Sequence, residues 1–130
     1  MSAAAASPGD VVRSFIAAWN ANDLEQVLRH LHDDVVYHNV PLEPLHGLAA
    51  VRQYLGGIGR FDWIDWKLLA LAESGNQVLT ERIDDFSLRG TRVSLPLMGI
   101  FEVDGGRIRA WRDYFDLAMY RRQMPSPQGS

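Results

Sequence analysis

The fold is decided by residues 63–116, which read WIDWKLLALAESGNQVLTERIDDFSLRGTRVSLPLMGIFEVDGGRIRAWRDYFD. Along this stretch, aliphatic and aromatic residues alternate with polar ones, as is typical of strands. Three short glycine-containing sequences interrupt the alternation: SGN at 74–76, RGT at 89–91 and DGG at 104–106. Only antiparallel strands can be joined by connections this short. The pattern therefore predicts a meander of four long strands over 63–72, 77–87, 92–103 and 107–115.

Helices are predicted before this meander. Apolar residues recur at three- and four-residue spacing in 8–19, with Pro8 near the start, and again in 24–31, where Asn22 or Asp23 can cap the helix. A short strand is expected over 35–39, followed by a helix over 48–55 that ends at Gly56 and Gly57. A last short helix, capped by Asp116, is expected to run through Gln123.

Helices followed by a long meander indicate an α+β fold, in which a curled antiparallel or mixed sheet forms a cone with the N-terminal helices packed over it. Pro96 cannot donate to a strand ladder, so it marks a sheet edge or a bulge. We expect one domain over 8–124, with flexible tails at 1–7 and 125–130.

Composition excludes several classes of function. The chain has 130 residues, is 47% hydrophobic and 22% charged, and carries a net charge of −3, which is ordinary for a globular protein and unfavourable for nucleic-acid binding. It has no cysteine, so thiolate chemistry is excluded. We found no signal-peptide pattern and no apolar run long enough to span a membrane, which predicts a cytoplasmic protein without membrane contact.

Two segments of the meander carry candidate catalytic residues. Residues two apart on a strand share a face, with Cα atoms roughly 7 Å apart, so Arg82 and Asp84 point the same way. On the last strand, Asp113 lies between Trp111 and Phe115 on one face. A carboxylate among aromatic rings is costly unless it is paired, and Arg82 is the available partner. Glu81 and Asp85 have the opposite parity and should point away from a pocket.

A third segment adds Tyr37 and Asn39, which share a face and offer uncharged hydrogen-bonding groups suited to holding water. Together with Arg82, Asp84 and Asp113, they form a set that is neutral when one proton is shared between the carboxyl groups. One carboxyl can then donate a proton while the other accepts one. Each piece also has a plainer interpretation: a solvated Arg–Asp pair, core aromatics, or polar residues of a turn.

Three strings resemble the limonene-1,2-epoxide hydrolase family in order and spacing: YHNVPL at 37–42, TERID at 80–84 and GGRIRAWRDYFD at 105–116. The resemblance covers nearly the whole chain after the N-terminal tail. It implies the cone fold shared with scytalone dehydratase and ketosteroid isomerase, and a cofactor-independent addition of water to small epoxides, giving vicinal diols without a covalent intermediate.

Carried over by position, the resemblance makes Asp113 the base that deprotonates the catalytic water, which Tyr37 and Asn39 help to hold. Asp84 is the acid that protonates the epoxide oxygen, and Arg82 bridges the two carboxyl groups. Trp111 is placed in the wall of the site. The expected substrate-binding residues, whose faces the pattern does not fix, are Trp111, Leu69, Val78, Leu97, Met98, Ile100 and Phe115.

Two histidines could suggest a metal site instead. His30 and His32 straddle a helix end, where two-residue spacing does not place side chains together, so no metal and no other cofactor is expected. A ketosteroid-isomerase-like enzyme, a cyclase of the same fold and a non-catalytic binder of small hydrophobic ligands remain alternatives. The family's habit implies a homodimer through the outer face of the sheet, where Leu79 and Ile83 are apolar.

Overall fold

A computed structural model describes residues 6–124, which form four helices and six strands. In chain order these are α1 (Pro8–Asn20), α2 (Leu24–Arg29), β1 (Leu31–Asn39), β2 (Leu45–His46), α3 (Leu48–Ile58), β3 (Trp63–Ser74), β4 (Gln77–Leu88), β5 (Thr91–Asp104), β6 (Arg107–Tyr114) and α4 (Leu117–Gln123). No helix in this range is long and apolar enough to cross a membrane.

The six strands form one mixed, curled sheet in the order β2-β1-β6-β5-β4-β3. The segment from β3 to β6 is the predicted antiparallel meander, with each strand beside its sequence neighbour. The N-terminal strand β1 joins the far end of the meander and runs parallel to β6, with Tyr37 opposite Trp111 and Asn39 opposite Asp113. The predicted α+β cone is confirmed, and its sheet is mixed.

The larger differences from the predictions concern β1, α3 and β2. Leu31 was assigned to a helix but begins β1, and its side chain is fully buried there. Helix α3 continues through Gly56 and Gly57 and ends only at Gly59, whose φ of 89° is in the left-handed region that favours glycine. Glycine weakens a helix interior by only about 0.5–1 kcal/mol, too little to end a helix that buries one face. The two-residue β2 was not predicted.

The core lies between α1 and the concave face of the sheet, and Phe15 is at its centre. This fully buried ring makes edge contacts with four aromatic neighbours, with centroid distances of 5.0 Å to Trp111, 5.9 Å to Phe101, 6.3 Å to Trp19 and 6.4 Å to Trp66. Aromatic rings packed edge to face fill space densely and resist rearrangement. The inner face of the sheet is therefore rigid where α1 covers it.

Pro96 lies where β5 has a partner on one side only. It is opposite Ile83 of β4, but the pairing of β5 with β6 begins at Met98. The predicted sheet edge at Pro96 is thus confirmed for this part of the strand. Nearby, the side chain of Gln123 from α4 pairs with the backbone of Ser94, accepting from its N–H at 2.8 Å and donating to its carbonyl at 3.0 Å.

The helix caps agree with the predictions at Asp23 and Asp116, whose side chains accept hydrogen bonds from the backbone N–H groups of Gln26 and Met119. Ser7 is the last residue of the predicted N-terminal tail. Ser7 caps α1 in a reciprocal pair with Asp10, which satisfies backbone donors at the start of the helix. The rest of the predicted tails, residues 1–5 and 125–130, lies outside the described residues.

Candidate active site

The structure brings Arg82, Asp84 and Asp113 together on the concave face of the sheet. Arg82 and Asp84 come from β4 and Asp113 comes from β6, with β5 between them. The exposed fraction of these residues is 0% for Arg82, 5% for Asp84 and 4% for Asp113. The plainer interpretation of Arg82 and Asp84 as a solvated surface pair is therefore wrong.

Arg82 bridges the two carboxyl groups. Its Nε and Nη2 donate to Oδ1 and Oδ2 of Asp84, each at 3.0 Å, in the two-pronged geometry that suits guanidinium and carboxylate. Nη2 also donates to Oδ1 of Asp113 at 3.1 Å. The indole N–H of Trp111 donates to the other oxygen of Asp113 at 3.1 Å, so both carboxyl groups are held in fixed orientations.

The guanidinium is also enclosed by aromatic rings. Its Cζ atom lies 4.8 Å from the ring centroid of Trp66 and 5.6 Å from that of Phe101. A cation over an aromatic face is stabilised by the negative potential of the ring. These contacts exclude water from Arg82 while offsetting part of the cost of its burial.

Two residues that the sequence analysis did not identify complete this network. Thr80 lies on β4 two residues before Arg82, and its Oγ1 accepts from Nη1 of Arg82 at 3.1 Å and donates to the carbonyl of Gly99 at 3.0 Å. It is only 1% exposed. Its parity with Arg82 was readable in the sequence, but a lone threonine on a strand gives no further signal.

Gly99 of β5 makes room for the bridge. It lies between Thr80 on β4 and Asp113 on β6. A Cβ atom at this position would clash with Oδ1 of Asp113 and lie 2.6 Å from Nη1 of Arg82. Only glycine therefore allows Arg82 to reach across the middle strand to Asp113.

The parallel pairing of β1 with β6 places Tyr37 and Asn39 beside this network. Tyr37 stacks on Trp111 with ring centroids 3.9 Å apart and an interplanar angle of 17°. Its hydroxyl exchanges hydrogen bonds with the Asn39 side chain, at 3.2 Å to Oδ1 and 3.0 Å from Nδ2. Both residues line the same cavity as Asp113.

Burial controls the protonation of these groups. Removal from water raises the pKa of Asp84 to about 6, with Arg82 acting against the rise, and it also raises the pKa of Asp113, against Arg82 and Trp111. Burial alone would lower the pKa of Arg82, but the two carboxylates raise it above its ordinary value. A permanent cation with two carboxyl groups of raised pKa can hold one proton near neutrality, which makes the cluster uncharged.

A cavity opens beside this network. It is enclosed by aromatic and aliphatic side chains, and the network contributes the carboxyl groups of Asp84 and Asp113 to its lining. A second depression of about 500 Å³ opens beyond Trp19 and Phe61, and its acidic residues, Asp23 and Glu25, are not in the buried network. The smaller cavity at the carboxyl groups is therefore the candidate active site. Of these two depressions, it is the one whose lining combines acids of raised pKa with an enclosed apolar space.

The predicted substrate-binding residues divide into two groups. Trp111, Leu97 and Phe115 line the cavity. The others do not: Leu69 and Met98 are 56% and 54% exposed, Ile100 is on the outer face with Met98, and Val78 is fully buried beneath α1 away from the cavity. Met98 and Ile100 have the opposite parity to Leu97, and Leu69 is at a register shift in β3, which explains these three corrections. Val78 has the parity of Arg82 but lies four residues before it, opposite Phe101.

Several cavity residues come from helices, and the strand-based predictions missed them. Helix α3 contributes Tyr54, Leu55 and Ile58, and α4 contributes Tyr120. The spacing of the apolar residues in the sequence predicted only that each helix buries one face, and it did not predict which surface that face covers. The docking position of each helix on the sheet decides that these side chains face the cavity.

His30 and His32 contact other residues of the fold. The ring of His30 bonds to Ser14 Oγ at 2.9 Å and to the carbonyl of Gln26 at 2.6 Å. His32 lies 4.0 Å from Asp104. Between residues 6 and 124, no group of three or more His, Asp or Glu side chains is arranged to hold a metal ion.

Fold and site together define a cone-fold protein with a buried, charge-balanced pair of acids facing an apolar cavity. Residues 6–125 match the model of the limonene-1,2-epoxide hydrolase catalytic domain. The chain belongs to the limonene-1,2-epoxide hydrolase family. Over 110 residues it is 36% identical to the epoxide hydrolase EphG of Mycobacterium tuberculosis, covering 82% of this chain and 71% of the relative.

Solved structures agree with the fold. An LEH-like epoxide hydrolase of M. tuberculosis superposes with a TM-score of 0.77 at 34% identity, covering 87% of this chain and 85% of the other. A putative polyketide cyclase of Pseudomonas putida gives a TM-score of 0.74 at 19% identity, covering 92% and 99% of the two chains. At that identity the likeness shows a shared fold alone.

The protonation of Asp84 can be measured directly. We expect an infrared band of a buried protonated carboxyl group at about pH 5, where an ordinary aspartate is ionised, and its loss well above the pKa of about 6. The folded protein holds this proton more tightly than the unfolded chain. The contribution of Asp84 to stability is therefore full below about pH 4 and is lost as the pH rises through about 6.

In Asp84→Asn the band should be absent. Asp85→Asn is the matched control, since Asp85 is on the outer face, bonded to Lys67 and Arg92, with a lowered pKa. A band that persists in Asp84→Asn would assign the proton to Asp113 instead.

The role of Gly99 predicts an unusual effect of a small substitution. In Gly99→Ala the added methyl group must push Arg82 and Asp113 apart, and neither can move away because both are buried and hydrogen-bonded. We expect the free energy of unfolding to fall by about 1–3 kcal/mol. Thermal or denaturant unfolding measures this, and a crystal structure of the variant should show the Arg82–Asp113 contact lengthened.

Gly56→Ala is the control for this experiment. Gly56 is inside α3 and an added Cβ meets no atom within 4 Å, so the same substitution should stabilise the protein by about 0.5–1 kcal/mol. A Gly99→Ala variant as stable as the wild type, with the contact unchanged, would refute the role given to Gly99.

Proposed function

We propose that this protein is an epoxide hydrolase that adds water to small cyclic and terpene-type epoxides, limonene-1,2-epoxide among them, and releases vicinal diols. The observation that carries the proposal is the Arg82 bridge between two buried carboxyl groups at the wall of an apolar cavity. One-step opening of an epoxide needs a base for the water and an acid for the leaving oxygen, both held close to one apolar substrate.

Asp113 is the general base in this mechanism. Its carboxyl group accepts hydrogen bonds from Arg82 and Trp111, and both interactions favour the ionised form against the burial that raises its pKa. Its neighbours Tyr37 and Asn39 supply a hydroxyl and an amide to position a water molecule. As that water attacks an epoxide carbon, Asp113 takes its proton.

Asp84 is the general acid. With a pKa of about 6 it exists partly as the neutral acid near neutral pH, and it lines the cavity where the epoxide oxygen can reach it. When the carbon–oxygen bond breaks, Asp84 gives its proton to the oxygen, and the second hydroxyl of the diol forms. The cycle leaves the proton on Asp113 rather than Asp84, and one proton transfer between them, directly or through solvent, restores the resting state.

Arg82 keeps these two roles apart. It touches both carboxyl groups, so it stabilises whichever of them carries the negative charge as the proton passes from one to the other. The net charge of the cluster stays the same throughout the reaction, so no uncompensated charge develops in the low-dielectric cavity. This constant charge is the feature that an isomerase, a cyclase or a passive ligand binder of the same fold does not need.

We also propose that two copies of the chain associate through the outer face of the sheet. That face presents apolar side chains on neighbouring strands, with Leu79 at 39%, Tyr114 at 50% and Met98 at 54% exposed and Ile83 partly so. On that face the apolar side chains alternate with charged ones such as Glu81 and Arg112, and exposed apolar groups collected on one face are typical of an interface.

Sedimentation velocity tests the dimer. Met98→Glu places a charge at the centre of the apolar face and should shift the protein from dimer to monomer. Ala49→Glu adds the same charge on the exposed side of α3 and should leave the dimer intact. A wild-type protein that sediments as a monomer at micromolar concentration would rule this association out.

The proposed activity is tested by measuring diol formation from cyclohexene oxide and limonene-1,2-epoxide. We expect turnover by the wild type and a decrease of about 10²- to 10⁴-fold in Asp113→Asn, the range that a lost general base costs. Asp104→Asn is the control, because Asp104 is exposed at a turn and pairs with Arg109, away from the cavity. The rate should follow a bell-shaped pH profile, since one carboxyl group must be ionised and the other protonated.

A single turnover in ¹⁸O-labelled water distinguishes the one-step route from a covalent one. Direct attack by water puts the label into the diol in the first turnover, whereas an ester with Asp113 or Asp84 would give an unlabelled first diol. No diol from any epoxide, with folded protein, would favour an isomerase, a cyclase or a ligand binder instead.

A further inference from the structure

The mouth of the active-site cavity carries two phenol groups that the proposed mechanism does not use. Tyr54 projects from α3 and Tyr120 from α4, and both line the cavity that contains Asp84 and Asp113. Tyr54 is 40% exposed and Tyr120 is partly exposed, so both lie on the solvent side of the buried network. Leu42, Ile58 and Phe115, which line the same cavity and also reach the surface, are apolar.

Aromatic contacts fix both rings. The ring of Tyr54 lies 6.2 Å from that of Tyr37 at an interplanar angle of 59°. The ring of Tyr120 makes an edge contact with Phe115, with centroids 5.7 Å apart. The two phenols are thus held by the α3 and α4 sides of the cavity. When a ligand binds them, the two tyrosine side chains therefore lose little conformational entropy.

Neither hydroxyl has a hydrogen-bond partner among residues 6–124, whereas the hydroxyl of Tyr37 is engaged with Asn39. Partial burial raises the pKa of Tyr54 and Tyr120, so both stay protonated at neutral pH. Two neutral phenols at one mouth can therefore each donate a hydrogen bond to a ligand in place of water.

We propose that Tyr54 and Tyr120 select epoxides that carry an acceptor oxygen, such as a ketone, ester or ether, on the part of the molecule remote from the epoxide ring. This inference rests on the proposed hydrolase function and narrows its substrate class. A hydrocarbon group in the mouth would strip water from both hydroxyls without replacing its hydrogen bonds. An oxygenated group would replace them, and a site built for a hydrogen bond discriminates against an analogue that lacks it.

An isosteric pair of substrates tests the proposal. Acetyl-substituted cyclohexene oxide and its isopropenyl analogue, substituted at the same ring carbon remote from the epoxide, differ only by C=O in place of C=CH₂. For the wild type we expect kcat/KM to favour the acetyl compound by about tenfold, mainly through a lower KM. Solvent competition at the partly exposed Tyr54 keeps the effect below the much larger discrimination of fully buried sites.

Substitutions assign the preference to the two phenols. In the Tyr54→Phe/Tyr120→Phe double variant the ratio of the two kcat/KM values should fall towards one. Tyr114→Phe is the control, because Tyr114 is on β6 outside the cavity, and it should keep the wild-type ratio.

A wild-type ratio near one overturns the inference without any variant, and so does a double variant that keeps the preference. In both cases the epoxide hydrolase function still stands. If the folded wild type hydrolyses neither compound, nor the simpler epoxides, the proposed function fails and this inference fails with it.

Discussion

The structure depends above all on one buried guanidinium that is shared by two carboxyl groups. Arg82 has no exposed surface, and its charge is tolerable there only because Asp84 and Asp113 are hydrogen-bonded to it. Breaking such a buried pair typically costs about 3–5 kcal/mol, since the remaining charge stays uncompensated. The strands around it must therefore hold all three side chains in place, and this constraint determines which residues can occupy the concave face.

The middle strand meets that constraint by contributing almost no side chain where the bridge passes. Gly99 leaves space for the bridge. The hydroxyl of Thr80 donates to the carbonyl of Gly99 and accepts from Nη1 of Arg82. The rings of Trp66 and Phe101 lie over the guanidinium. Two acids and one permanent cation then need one proton to be neutral. Charge neutrality in the core therefore requires one shared proton. That proton lies next to the cavity, where acid–base chemistry can use it.

The cavity is assembled from two kinds of element with different tasks. The strands provide the charged network, whose geometry is locked by ladders and by aromatic packing. The helices α3 and α4 provide the mouth, with Tyr54 and Tyr120. Proteins at 19% identity or less share this fold, so the fold by itself does not define the chemistry of the cavity.

Features that local geometry controls could be predicted from the order of the residues. Turn glycines and alternation predicted the meander, and the two-residue period paired Arg82 with Asp84 and Tyr37 with Asn39, because side chains two apart on a strand always share a face. Tertiary structure alone decided how one strand's face aligns with another's. That register places Gly99 beneath the bridge and Met98 and Ile100 on the outer face. The packing of α3 and α4 on the sheet places their side chains at the mouth of the cavity. Register and docking follow from contacts between residues distant in the chain, which no local pattern contains.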